Sequence, residues 1–194
     1  MSYEEKLNAL GLELPEAPKP VATYVPAVKA GNLLFLSGVL PMRNGQLAVV
    51  GKLGREVSLA DGVEAAKVAM LNALAIAKRE LGSLDRITRV VKVVGHVASA
   101  EGFTDQPQVL NGASDLLVAI FGEAGRHARV ATGAAELPRR AAVEIEVILA
   151  VSCPATRRRS ASVSCPLSGL TPEKTACYSP SSLASRCTPV CFPS

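Results

Sequence analysis

An α+β fold is what this sequence predicts, and three observations carry it. Residues 143–151, VEIEVILAV, put Val143, Ile145, Val147, Leu149 and Val151 on one face at the strand period of two, with Glu144 and Glu146 on the other. Residues 59–81 follow the helical period instead, with Leu59, Val63, Ala66, Met70, Leu74, Ala77 and Leu81 along one side. Taken along the chain, the candidate elements run ββ(β)αβαββ, which predicts a mixed sheet of four or more strands with two helices segregated against it.

In order, residues 2–10 predict a short helix with Leu7 and Leu10 as its apolar side, and Pro15, Pro18 and Pro20 then force an extended connection. Residues 21–28 and 33–37 read as strands joined by a Lys29-Ala30-Gly31-Asn32 turn. A further short strand is expected at 47–50, bounded by Asn44-Gly45 and Gly51. Ser58 is placed to cap the long helix, with Asp61 three residues on, and Gly82 stops it. The alanines in its stripe suit close packing on a sheet, so it reads as core. Residues 86–99 form a long Val-rich strand in which Gly95 marks a bulge or a close approach. Asp105 and Pro107 open a second helix running to about Phe121, with Val109, Leu116, Leu117, Ile120 and Phe121 for the core. Gly112 weakens its first half, and Gly122 and Gly125 end it. Residues 128–135 are the next strand, and Leu137-Pro138-Arg139-Arg140 separates them from 143–151 in what reads as a closing hairpin.

The chain of 194 residues divides into a domain at 1–151 and a tail at 152–194. The tail holds ten Ser, six Pro and all five Cys, so it cannot bury enough apolar surface to offset its ordering entropy, and disorder is expected there. It also holds five of the 21 basic residues and one of the 17 acidic ones, which leaves 1–151 formally neutral. The net charge of +4 therefore sits wholly in the tail, and the neutral domain argues against nucleic acid as its partner. With no cysteine in the domain and only His96 and His127 in the chain, no metal site is expected. The first twenty residues lack the basic and apolar regions of a secretory signal, and no apolar run reaches membrane-spanning length. Cytoplasmic location and no membrane partner are the expectation.

Two blocks carry a resemblance. One has Ala128-Arg129, Leu137-Pro138 eight residues after the Arg, and Val143-Glu144-Ile145-Glu146; the other has Tyr24 thirteen residues before Ser37-Gly38, then Pro41. Both are ungapped, and together they resemble the Rid family of reactive intermediate deaminases, also called YjgF-like and formerly endoribonuclease L-PSP. The resemblance spans roughly residues 3–151. It implies a chorismate-mutase-like fold, a homotrimer with sites between subunits, and hydrolysis of 2-imino or 2-enamino acids to 2-keto acids and ammonia without a cofactor. A non-catalytic trimer that binds a small carboxylate is the alternative, and ribonuclease, which rests on old family naming, a distant third.

Group chemistry agrees with that activity. Arg129, set among small and apolar residues, needs an anion, and its guanidinium suits a carboxylate. Glu144 is the candidate to activate water or deliver a proton. Tyr24, Ser37, Gly38 and Asn111 are the remaining candidates for binding substrate, through hydroxyls, an amide and close backbone approach. Tyr24 could equally be a core or interface aromatic, and Ser37-Gly38 a plain strand end. In a hairpin centred near residues 139 and 140, Arg129 faces Ala150 and Glu144 faces Ala135, roughly 20 Å apart along the ladder, so a shared site would need two subunits. The chain also departs from the family pattern and looks like a divergent branch. Val39 follows Ser37-Gly38 where Gln is usual, His127 stands in place of Pro before Ala128-Arg129, and residues 103–129 form a longer segment in which Asn111 matches the family's binding Asn only with shifted gaps.

Overall fold

Residues 1–17 and 23–152 are described by the computed structural model of the protein. The expected disordered tail, apart from Ser152, and the start of the first predicted strand at 21–22 lie outside the described residues. In chain order the strands are β1 (Ala27–Ala30), β2 (Leu33–Leu36), β3 (Met42–Arg43), β4 (Gln46–Leu47), β5 (Ile87–Ala98), β6 (Ala128–Ala134) and β7 (Val143–Val151). The helices are α1 (Tyr3–Ala9), α2 (Leu59–Leu81), α3 (Gln106–Val109) and α4 (Asn111–Phe121).

Five strands make one mixed sheet in the order β1-β2-β7-β5-β6, with β5 and β6 parallel and the other pairs antiparallel. The α+β expectation therefore holds. Of the predicted strand at 47–50, Leu47 pairs with Met42 in a separate β3–β4 hairpin, turned by Asn44 and Gly45 at φ 52 and 78, and Val50 makes an isolated antiparallel bridge to Ala141. Both left-handed values fit the hairpin turn that Asn-Gly favours.

One face of the sheet is the core. Val143, Ile145, Val147 and Leu149 of β7 and Val90, Val93 and Val97 of β5 are buried, as are Ala66, Ala69, Met70, Ala73, Leu74 and Ala77 of α2. Alanine at so many of these positions lets the helix backbone lie close to the strands. The Ser58 hydroxyl accepts the Asp61 amide at 3.1 Å, and Gly82 closes the helix at φ 84. Burial spreads beyond the predicted stripe to Ala65, Val68 and Ile76, whereas Leu59 and Leu10 stay exposed. The α4 helix explains part of that spread. Gly112 rests against the Val63 carbonyl, so closely that a Cβ would overlap it. A glycine that costs about 1 kcal/mol of helix propensity is thus what allows α4 to reach α2. Asn72, the one buried polar side chain among the described residues, donates to the Leu40 and Met42 carbonyls at 3.2 and 2.9 Å and ties the β3 segment to α2.

Two expectations need correction, and one pair of alternatives is resolved. The second predicted helix is two helices, α3 and α4, meeting at Leu110. Gly95 is a close approach, since a Cβ there would overlap the Leu110 side chain, and the β5 irregularities fall nearer its start, at Ile87/Arg89 and Val90/Lys92. Most consequentially, β6 and β7 are not a hairpin: β5 lies between them. The end of β5 is bonded on both sides, with the Ala98 amide donating to Ala142 and the Ser99 amide to Ala134, at 2.9 and 3.0 Å. The connection over residues 135–142 consequently crosses the end of β5 instead of turning tightly, and Arg139 and Arg140 both take left-handed φ, 56 and 60, to make the crossing.

Candidate functional site

Strand pairing decides which residues can meet. Arg129 pairs with Val93, which pairs with Val147, and both valines belong to the buried face. Arg129 accordingly turns toward the helices. Its Nη1 donates to Asn111 Oδ1 at 2.9 Å and to Ser114 Oγ at 3.0 Å. Those two acceptors stand three residues apart on α4 and so share one helix face. Asn111, which aligned poorly by spacing, is thereby joined to Arg129 by geometry.

Glu144 occupies the other face. It pairs with His96, which pairs in turn with Thr132. Between the levels of Arg129 and Glu144 lie three residues along the ladder and two strand spacings across it, about 10 Å in each direction. The hairpin register with Arg129 facing Ala150 is thus overturned. The restriction on one chain now has a different cause: the sheet itself separates the two side chains, so a single subunit cannot apply both to one small ligand.

Ser37, Gly38 and Val39 run beside β7. Val39 and Ile145 exchange backbone hydrogen bonds at 2.9 and 3.0 Å, which sets Gly38 against the Glu144 side chain, where a Cβ would lie 2.9 Å from the carboxyl carbon. The Ser37 hydroxyl donates to the Val25 carbonyl at 2.8 Å, next in sequence to Tyr24, which is 45% exposed. Burial raises the Glu144 carboxyl above its ordinary value and the neighbouring Glu146 adds to the rise, while His96 opposes it. His96 lies 3.4 Å from Glu146 and 3.2 Å from the Thr132 hydroxyl.

The predicted site residues therefore fall into two groups: Arg129 with Asn111 on the helix side, and Glu144 with Gly38 on the open side near Ser37. Two participants were not predicted. Ser114 contacts Arg129, and His127 contacts Ser114, Nε2 to Oγ, at 3.1 Å. The Asn111-x-x-Ser114 spacing and the His in place of Pro were the available signals. A second polar crevice, lined by Gly51, Lys52, Arg55, Glu136 and Arg140, is occupied by its own ion pairs, among them Lys52–Glu136 at 2.7 Å. Glu56 beside it is held at about 2, first by its hydrogen bond with Arg55. Among the described residues, no helix is long and apolar enough to cross a membrane.

A family model described as "YjgF/chorismate_mutase-like, putative endoribonuclease" matches residues 4–148. Protein TCP17 of Trypanosoma cruzi is 42% identical over 144 residues, covering 74% of this chain and 90% of that protein. The 2-iminobutanoate/2-iminopropanoate deaminase of Dermatophagoides farinae is 31% identical over 142 residues, 72% of this chain and 94% of that one. The crystal structure of Atu1372 from Agrobacterium tumefaciens, a protein with unknown function, matches with a TM-score of 0.73 at 46% identity, over 77% of this chain and 92% of its own. The five-stranded mixed sheet and the match over three quarters of the sequence place the chain in the YjgF/chorismate-mutase-like family, to which it belongs.

Proposed function

We propose that the protein is a hydrolytic deaminase of 2-imino and 2-enamino acids, working at sites between the subunits of a homotrimer. The observation that carries the reading is the state of Arg129. Both of its hydrogen-bonded partners are neutral, so a half-buried guanidinium is oriented and left with its charge for a ligand. A carboxylate is the anion its planar fork fits best. Glu144, whose carboxyl keeps its proton to higher pH than an exposed glutamate, supplies the second function.

In the reaction a water oxygen adds to the C=N carbon while Glu144 accepts the water proton. The same carboxyl passes that proton to nitrogen, giving a carbinolamine; it then takes the hydroxyl proton and relays it to the amino group, the C–N bond breaks, and the carbon retains oxygen as a keto acid while ammonia leaves. Tyr24, Ser37 and the Gly38 backbone would line the substrate. Nothing in these steps requires a metal or an organic cofactor. The likeness to the mite deaminase supports the substrate class.

Assembly is part of the proposal because Arg129 and Glu144 lie on opposite faces of one sheet. The open face bears exposed Val28, Phe35 and Val130, at 52, 39 and 40%, level with Ile148 and Val94. If the subunits that cover this apolar surface set their edge strand β6 against it, a second copy's Arg129 comes toward Glu144. The same separation favours the alternative of simple carboxylate binding if the chain stays monomeric. The test is ammonia release from imino acids generated in situ by an amino-acid oxidase, with Arg129→Ala beside the wild type. Turnover that depends on Arg129 is expected. Saturable keto-acid binding without turnover on any imino acid would move the assignment to a binding protein.

A further inference from the structure

Arg129 is held by more than the two residues it touches. His127 Nδ1 lies 2.6 Å from the Gly125 carbonyl, and a carbonyl can only accept, so Nδ1 carries the proton. In the neutral ring Nε2 is then a bare acceptor. Its neighbour at 3.1 Å is the Ser114 hydroxyl, which must therefore donate to it. With that proton committed, the lone pairs of Ser114 Oγ are turned to Arg129 Nη1 at 3.0 Å. With the ring neutral, every link in this chain has one direction, assigned from its partners.

The second hydrogen of Nη1 goes to Asn111 Oδ1. One terminal nitrogen of the guanidinium is thus fully used, while Nε and Nη2 keep three N–H groups, two of them parallel on the adjoining edge. That edge is the side-on fork that accepts a carboxylate through two parallel hydrogen bonds. Were His127 in the other tautomer, Nε2–H would compete with Nη1 for Ser114 Oγ, and the hydroxyl proton would be turned toward the guanidinium. A proline at this position, as the family pattern has it, could take no part in such a chain.

We infer that His127 is a positioning residue: through Ser114 it fixes the rotation of Arg129, so that the Nε/Nη2 edge is presented to the substrate carboxylate. The inference rests on the carboxylate-gripping role proposed for Arg129. The tautomer beneath it does not depend on any ligand.

Full-length protein with 15N-labelled histidine rings gives two spin systems, His96 and His127, separated by the spectrum of His127→Gln. The expected signature near neutral pH is a protonated Nδ1 and a bare Nε2 for His127, with Ser114→Ala shifting the Nε2 resonance. In calorimetric titrations with pyruvate, Ser114→Ala and His127→Phe should each weaken binding about tenfold, whereas Ser114→Thr, which keeps the hydroxyl, should restore most of it. A protonated Nε2 and bare Nδ1 in the wild type would overturn the inference, as would wild-type affinity in Ser114→Ala. If the wild type takes up no pyruvate and Arg129→Ala changes nothing, the carboxylate role of Arg129 fails. The ring signature then decides the Ser114–His127 chain by itself.

Discussion

Gly38 lies against the Glu144 carboxylate with no room for a methyl group between them. Gly38 has no left-handed φ, so the need for glycine comes from this contact and not from the backbone. Gly38→Ala should fold, at a cost of about 1–3 kcal/mol for overpacking, and should displace the carboxyl from its place against residue 38. Turnover should fall by about 10²-fold or more, as for loss of a positioned acid or base. In a Glu144→Ala background the same change should cost little stability, because the colliding atoms are gone. Thermal melts of the four proteins in this double-mutant cycle measure the coupling, and equal costs in both backgrounds would show that Glu144 is not what Gly38 makes room for.

Glu144→Gln should stabilise the fold in a pH-dependent way. Burial, joined by Glu146, raises the Glu144 carboxyl in the folded state against the opposing effect of His96. A raised carboxyl favours folding fully below its unfolded value, and that advantage is lost as pH rises through the folded value. The amide has no such loss. Melting temperatures should therefore be higher for Glu144→Gln than for wild type near pH 8 and converge toward about pH 4. A gain that is the same at both ends would mean that packing, not ionisation, distinguishes the two side chains.

Arg129 and Glu144 should fail differently in catalysis. Removing the guanidinium takes away a charge-assisted grip and the orientation that goes with it. Arg129→Ala should raise KM and lower kcat, a loss of about 2–4 kcal/mol or roughly 30- to 1000-fold in kcat/KM. Glu144→Gln should leave pyruvate binding close to wild type and lower kcat by about 10²–10⁴. Steady-state ammonia release, paired with calorimetry, separates the two patterns.

How far the sequence reached these residues depended on the range of the interactions involved. The α2 boundaries were legible because Ser58 and Gly82 act within one turn, and the β7 face because a period of two survives any pairing. Strand neighbours were not. Leu137-Pro138 looks the same whether it turns a hairpin or carries the chain across the end of β5, since the difference lies in the Ala98 and Ser99 amides some forty residues earlier. Arg129 was legible as an ion without a nearby partner, but its contacts with Asn111 and Ser114 required knowing that β6 abuts α4. Leu59 shows the limit of periodicity from the other side: it sits on the predicted stripe at the first helical position, beyond the part of α2 that is covered, and remains 36% exposed.

The open face of the sheet bears the prediction on which the catalytic reading depends most. Val130 stands level with Val94 and Glu146 on that face, and Phe35 level with Ile148. Neither contributes to the buried core, so a charge at either position should leave the fold of one subunit intact. If this face joins subunits, Val130→Glu and Phe35→Glu bury an unpaired carboxylate at the contact, which is costly enough to dissociate it. Sedimentation at micromolar concentration should show a trimer for the wild type and a smaller species for both variants, with far-UV circular dichroism unchanged. Turnover should disappear along with the trimer, because Arg129 and Glu144 of one chain are held apart by the sheet between them. A wild-type monomer with full turnover would contradict the intersubunit site. The proton-transfer role would then have to pass from Glu144 to a residue on the helix side, within reach of Arg129.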